Sequence, residues 1–374
     1  MICGTRLYGF ANVSRIRIDD TYRRRLGRGL AMAAYTSKDV ARVAGVSQST
    51  VSYVLTGNRP ISEQTRRRVL DAIEQLTYHP NAGARALASQ RTRVIALVLP
   101  FDVVVDTAAL VPFIEAISIS ARSRDYDVLL LAASEGAAGL QRVAGRSLCD
   151  AIIVMNVQTR DERVPVAAAL PVPVVMIGVP EDPQGLHCVD LDFAAAGRMA
   201  IDEFAATGHR RIAIIEHPAE MVDRGLSFID RFLDGALQAA RQRSLPVEVS
   251  TPAERGRVAL ASVIDRLIGL PGPGPLGLVV PNMQAQQPIL RLLEAREVVP
   301  GRDISLIGLC TDADAAEADP QITNLSFEPL DISRRAMQTL FALLEPTGIP
   351  APPAMDLIPP RLTRRQTVVN VRTG

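Results

Sequence analysis

Apolar and polar positions keep two different rhythms along this chain. Between residues 36 and 78 the spacing is helical. In "SKDVARVAG", Val40, Ala41 and Val43 recur on one side of a helix. Thr36 and Asp39 form the Ser/Thr-x-x-Asp/Glu capping pattern that opens such a helix, and Gly45 ends it with a turn. In "GVSQSTVSYVL", at about 100° per residue, Val51, Val54 and Leu55 share one side. Ser49, Ser52, Tyr53 and Thr56 share the other, and Ser47 stands at the N-cap. "TGNRP" breaks that helix, and Ser62 caps "EQTRRRVLDAIEQL", whose Val69, Ala72, Ile73 and Leu76 have core spacing. Two helices around a tight glycine turn, followed by a third that packs on them, predict a helix-turn-helix unit over 36–78. Any small helical bundle can show this pattern. The polar face of the middle helix is therefore either solvated surface or a surface that reads base edges.

From Arg93 the rhythm changes. "VIALVLP", "DVLLLAAS", "AIIVMN", "PVVMIG", "RIAIIEH", "LGLVVPN" and "ISLIGLC" are short, nearly continuous apolar runs, as in parallel strands covered on both faces. Segments 109–124, 193–206 and 284–296 between them have helical length and spacing. The alternation predicts a doubly wound α/β core over 93–372, split into two lobes. Ligands in such folds sit beyond the C-terminal ends of strands. That singles out the loops after Pro100 (at Phe101), Asn156, Gly178, His217, Asn282 and Cys310. Between the two regions, 79–92 contains "NAGARALAS", too short to be a stable helix alone. It is either a flexible linker or a helix that forms only when held.

Composition narrows the class. With 374 residues, 48% hydrophobic and 22% charged, the chain is globular and long enough for two or three domains. No apolar run is long enough to span a membrane, and the first twenty residues lack a secretory apolar core. Cys3, Cys149, Cys188 and Cys310 stand far apart without a CxxC pair, which predicts reduced thiols in a cytoplasmic protein. The net charge of +1 conceals an asymmetry: residues 1–93 hold 16 Lys and Arg against 6 Asp and Glu, the remainder 25 against 34. Part of that excess lies in "RIRIDDTYRRRLGR", but 36–93 alone keep 9 against 4. A basic head on an acidic body points to a polyanionic partner for the head.

The segment "TSKDVARVAGVSQSTVSYVLTGNRPISEQTRRRVLDAIEQLTYHPNAGARAL" resembles the DNA-binding head of the lac repressor family of bacterial transcription regulators. "TGHRRIAII" and "VPGRDISLIG" resemble that family's core, which is similar to periplasmic sugar-binding proteins. The resemblance implies an N-terminal three-helix head, a hinge helix, and a two-lobed periplasmic-binding-protein-like core. It implies that Gln48, Ser49, Ser52 and Tyr53 face bases in the major groove, and that Thr36, Ser47, Thr50, Asn58 and Thr65 meet phosphates. Asn81 and Leu87 fall in the implied hinge helix, with Leu87 as the wedge in the minor groove. Many relatives carry Arg where this chain has Tyr53. The partners implied are double-stranded operator DNA, a second copy of the chain and a small-molecule effector, with no cofactor, metal or membrane.

The effector positions depart from the family's pattern. Asn282 matches a contacting asparagine, but Met283 replaces the usual Asp beside it, and Cys310 replaces another. The clamping Arg normally stands three residues before a helix glycine; counting back from Gly235, that place is Phe232, with Arg231 beside it. Arg and Asp grip sugar hydroxyls by charge-assisted hydrogen bonds. Their loss weighs against a monosaccharide and towards a less polar effector, a protein partner, or no ligand. A solute receptor would share the core without the head, and an enzyme would need a catalytic constellation that is not found. "GPGPLG" precedes a strand and its prolines remove amides, so it reads as a loop. Residues 1–31 are either upstream of the true start, since Met32 stands where relatives begin, or a disordered arm on phosphate.

Overall fold

The computed structural model describes residues 35–56, 59–78, 91–101, 107–345 and 354–371. Asn58, Asn81, Leu87, residues 1–31 and nearly all of 79–92 lie outside the described residues. The chain divides between Gln90 and Arg91 into two units.

The first unit holds α1 (Ser37–Ala44), α2 (Gln48–Thr56) and α3 (Glu63–Gln75). Each start is locally encoded. The Thr36 amide and hydroxyl both donate to the Asp39 carboxylate, completing the capping box. The Ser47 and Ser62 hydroxyls accept from the Thr50 and Thr65 amides. Gly45 ends α1 in the left-handed region, at φ 63°. Val40, Ala41, Ala44, Val51, Val69, Ala72 and Tyr78 form the buried centre. Two positions differ from expectation. Val43 is 40% exposed and Ala44 takes the inward place; Leu55 is exposed because the buried stripe of α2 runs through Val51 and Val54.

The second unit contains two six-stranded sheets. One has the order β11-β5-β4-β3-β1-β2, from Met355–Ile358, His187–Leu191, Val174–Ile177, Ala151–Val154, Val94–Leu99 and Asp127–Ala132, all parallel. The other has the order β12-β10-β9-β8-β6-β7, from Leu362–Thr363, Thr323–Ser326, Ile304–Cys310, Leu276–Val280, Arg211–Ile215 and Val247–Ser250; only β12 is antiparallel. Five strands are absent from the sequence reading. β5 carries Asp190, β7 is a short alternating edge and β10 reads "TNLS", so none has an apolar run; β11 and β12 are brief. In β2, Leu129 and Leu130 are exposed, against the expectation that both faces are covered, because β2 is a sheet edge. The expected helices form as α4 (Thr107–Arg122), α5 (Phe193–Ala206) and, later in the chain, Met283–Glu294.

The chain passes between the lobes three times: from β5 into α5, from β10 into the helix Pro329–Leu344, and from β11 into β12. One apolar core runs through both lobes, from Ile95 and Ile153 to Ile214 and Phe232. Within it α5 crosses α6 (Ser227–Gln242) with glycine on both sides. A Cβ built on Gly197 would lie 2.1 Å from the Phe232 carbonyl oxygen, and one on Gly235 2.0 Å from that of Ala194. Only hydrogen fits there. No helix among the described residues is long and apolar enough to cross a membrane.

Candidate nucleic-acid interface and effector cleft

In the head, α2 presents a short polar row. Gln48, Ser49 and Ser52 are exposed and Tyr53 is half-buried. Gln48 Nε2 donates to Ser37 Oγ at 2.8 Å, which ties this polar face to α1. Ser47 Oγ and Thr50 Oγ1 share a 2.8 Å hydrogen bond at the start of α2, and Ser62 Oγ donates to Thr65 Oγ1 at 2.9 Å at the start of α3. The expected phosphate-contacting residues Thr36, Ser47, Thr50 and Thr65 thus cluster at helix N-termini, where backbone amides and the helix dipole favour anions. One charge was not singled out from the sequence: the Arg59 guanidinium lies 5.7 Å from the Tyr53 ring centroid. It restores a cation beside the position where the chain lacks the common arginine. No helical period covers Arg59, which follows the break in "TGNRP".

In the core, a cavity of about 160 Å³ lies between the lobes at the strand ends. Asn156, Gly178, His217 and Asn282 line it, at four of the loops expected from the sequence. Four other expected residues do not. Phe101 is exposed two residues past the end of β1. Phe232 points into the packed core, and Cys310 lies under the second sheet, where strand alternation gives the cleft to Leu309 instead. Arg231 stands behind the wall: Nη1 donates to Asp190 Oδ2 at 2.7 Å and Nη2 to the Leu191 carbonyl at 3.1 Å. Burial pushes the Cys310 thiol up to about 12.

The wall is aromatic. Phe113, Phe327, Phe193, Phe228 and His217 follow one another with ring centroids 5.3 to 6.1 Å apart. They come from α4, the start of α5, α6 and two loops, so no local pattern joins them. Asp190 reaches the cavity from β5. Burial pushes its carboxyl up to about 7 against the pull of Arg231. Burial also depresses His217, to about 4, so its imidazole is neutral near pH 7.

Two backbone contacts tie the lobes at the cavity's rim. The Ser227 amide donates to the Val157 carbonyl at 3.0 Å, and the Thr159 amide to the Gly225 carbonyl at 2.8 Å. Asp161 shapes this loop: its carboxylate accepts from Arg163 Nε and Nη2 and from the Gln158 amide. Arg163 in turn donates to the Met155 and Asn156 carbonyls. Asn156 holds a left-handed backbone, at φ 52°. Burial opposes charge on Asp161, but Arg163 and the amides outweigh it and hold the carboxyl below the usual range.

The two titrations at the cavity oppose each other. His217 is neutral when folded and protonated when unfolded between about pH 6.5 and 4, so it removes stability as the pH falls. Asp190 takes up its proton near pH 7 when folded and near 3.8 when unfolded, so it adds stability over almost the same window. His217→Phe removes the first effect. Urea unfolding at pH 7 and pH 4 should show the variant gaining on the wild type by about 3 kcal/mol between those values. A constant difference would place a charged His217 in the folded protein.

Comparison with known proteins agrees with this anatomy. Residues 36–81 match the bacterial regulatory proteins of the lacI family, and residues 201–368 match the periplasmic binding protein-like domain. Catabolite control protein A of Priestia megaterium is 27% identical over 322 residues, covering 82% of this chain and 91% of that protein. The lac repressor dimer bound to operator and the anti-inducer ONPF has the same fold, with a TM-score of 0.74 at 20% identity over 90% of this chain and 99% of that one. A complex of the transcriptional regulator CelR with cellobiose gives 0.58 at 23%, over 89% and 100%. A helix-turn-helix head carried by a two-lobed α/β core defines a DNA-binding transcriptional regulator. The chain carries the DNA-binding head of the lacI family of bacterial regulatory proteins together with a periplasmic-binding-protein-like domain.

Proposed function

We propose that this regulator is a cytoplasmic repressor without catalytic activity, which binds a pseudo-palindromic operator as a homodimer and answers a small molecule in its interlobe cleft. The observation that carries the DNA-reading role is the exposed Gln48, Ser49 and Ser52 row on α2, flanked by helix N-termini and by Arg59. Gln48 and Tyr53 suit base edges; the hydroxyls of Thr36, Ser47, Thr50 and Thr65 suit phosphates, which set register. In the core, Val111 and Ile119 of α4 and Leu130 of the neighbouring β2 are exposed. An apolar patch of this kind suits a second copy of the chain. Lac repressor and CelR have been solved with small molecules, and this chain has a cavity of its own between its lobes.

Selection of bound fragments from genomic DNA tests this reading directly. The protein should enrich a pseudo-palindrome, with affinity falling about a thousandfold from about 50 to 200 mM salt. Gln48→Ala should cost about 1–3 kcal/mol on the selected site and leave non-specific binding unchanged. No preference for any fragment over random competitor ends the proposal.

A further inference from the structure

The cleft's lining restricts what it can hold. Four of the chain's nine phenylalanines meet there, in a protein with no tryptophan. Polar capacity is sparse and partly committed. Arg231 is engaged by Asp190 and Leu191, and the Asn282 side-chain oxygen accepts from the Gln284 amide as the cap of its helix. The His217 imidazole is 6% exposed, and its Nδ1 and the Ser227 Oγ are buried without a hydrogen-bond partner among the described residues. Buried polar atoms are almost always paired, and both orphans belong to residues that line this cavity, so a ligand hydroxyl that draws either side chain towards it gains a partner. The volume, about 160 Å³, is that of a cavity which accepts one benzene ring.

We propose that the cleft binds a single-ring phenolic compound, its ring among Phe113, Phe193, Phe228 and Phe327 and its hydroxyl paired with the His217 imidazole, with Ser227 beside it. This rests on the ligand-controlled reading above and names the ligand's class. A hydroxyl both donates and accepts, so it satisfies a neutral imidazole in either tautomer. The aromatic edges and faces of the wall accept a ring in offset or edge-to-face contact. A pyranose fits poorly, because most of its hydroxyls would be buried against phenylalanine without partners. The Arg231 guanidinium stands behind the wall, committed to Asp190 and the Leu191 carbonyl, so it offers no free donors to an anionic ligand.

Isothermal titration of the full-length protein with 4-methylphenol, toluene and cellobiose tests the assignment. 4-Methylphenol should bind at least about tenfold more tightly than toluene, the difference being the hydroxyl. Cellobiose should not bind. In Ser227→Ala and in His217→Phe the preference for 4-methylphenol over toluene should shrink towards one. Toluene binding then reports a folded cavity in each variant. Cellobiose binding with 4-methylphenol silent overturns the phenolic class while leaving a ligand-controlled regulator intact; equal affinity for phenol and toluene, or no binding of either, also overturns it. Fragment selection without ligand judges the DNA-binding role separately.

Discussion

Gly235→Ala is expected to destabilise the core by about 3 kcal/mol or more, at the upper end of what overpacking costs. The reason is that the new methyl group meets backbone and not a side chain that can turn aside. Its position lies 2.0 Å from the Ala194 carbonyl oxygen and 2.7 Å from the Ala194 Cα. Relief requires α5 and α6 to separate, and both helices contribute Phe193, Phe204, Phe232 and Ala236 to the shared core. Separation therefore also loosens the cleft, where Phe193 and Phe228 sit at the starts of the two helices. Gly269→Ala is the matched control, because its Cβ meets nothing within 4 Å. Chemical unfolding followed by circular dichroism should separate the two variants clearly. A loss below about 1 kcal/mol for Gly235→Ala would mean that the helices do not cross this closely.

The second large effect is at Asp161. Its side chain and that of Arg163 are 1% and 7% exposed and 2.6 Å apart. Asp161→Ala leaves a buried guanidinium with only two carbonyl partners, and breaking such a pair costs about 3–5 kcal/mol. The loop from Met155 to Thr159 should loosen with it, since Asp161 and Arg163 hold that backbone through Gln158, Met155 and Asn156. Removing both charges should be gentler: Asp161→Leu with Arg163→Met is expected to recover most of the loss, because no unpaired charge remains. If the double variant is as unstable as the single one, the pair's value lies in shape and not in charge.

These sites differ in how visible they were before the structure. The head was legible nearly to the residue, because caps and turns are local: Thr36, Gly45, Ser47 and Ser62 each act within four positions of themselves. Seven strands were legible as apolar runs, and β10 was not, because "TNLS" is buried whole through hydrogen bonds such as Asn324 to the Cys310 carbonyl. The cleft's loops were legible from strand ends, but its character was not. Phe113 and Phe327 lie more than two hundred positions apart in the chain and 6.1 Å apart in space. Arg231 and Phe232 failed as lining residues for a simpler reason. The helix turns about 100° per residue, so adjacent positions on α6 cannot both face the cavity, and packing against α5 fixed which way each one looked.

The contacts between residues 157–159 and 225–227 set how this protein behaves as a device. A mouth fastened by discrete amide-to-carbonyl clasps is either shut or sprung, since half a clasp is the worst of both: desolvated and unmade. If ligand exchange parts these contacts, the rim has two postures, with both bonds made or both exchanged for water.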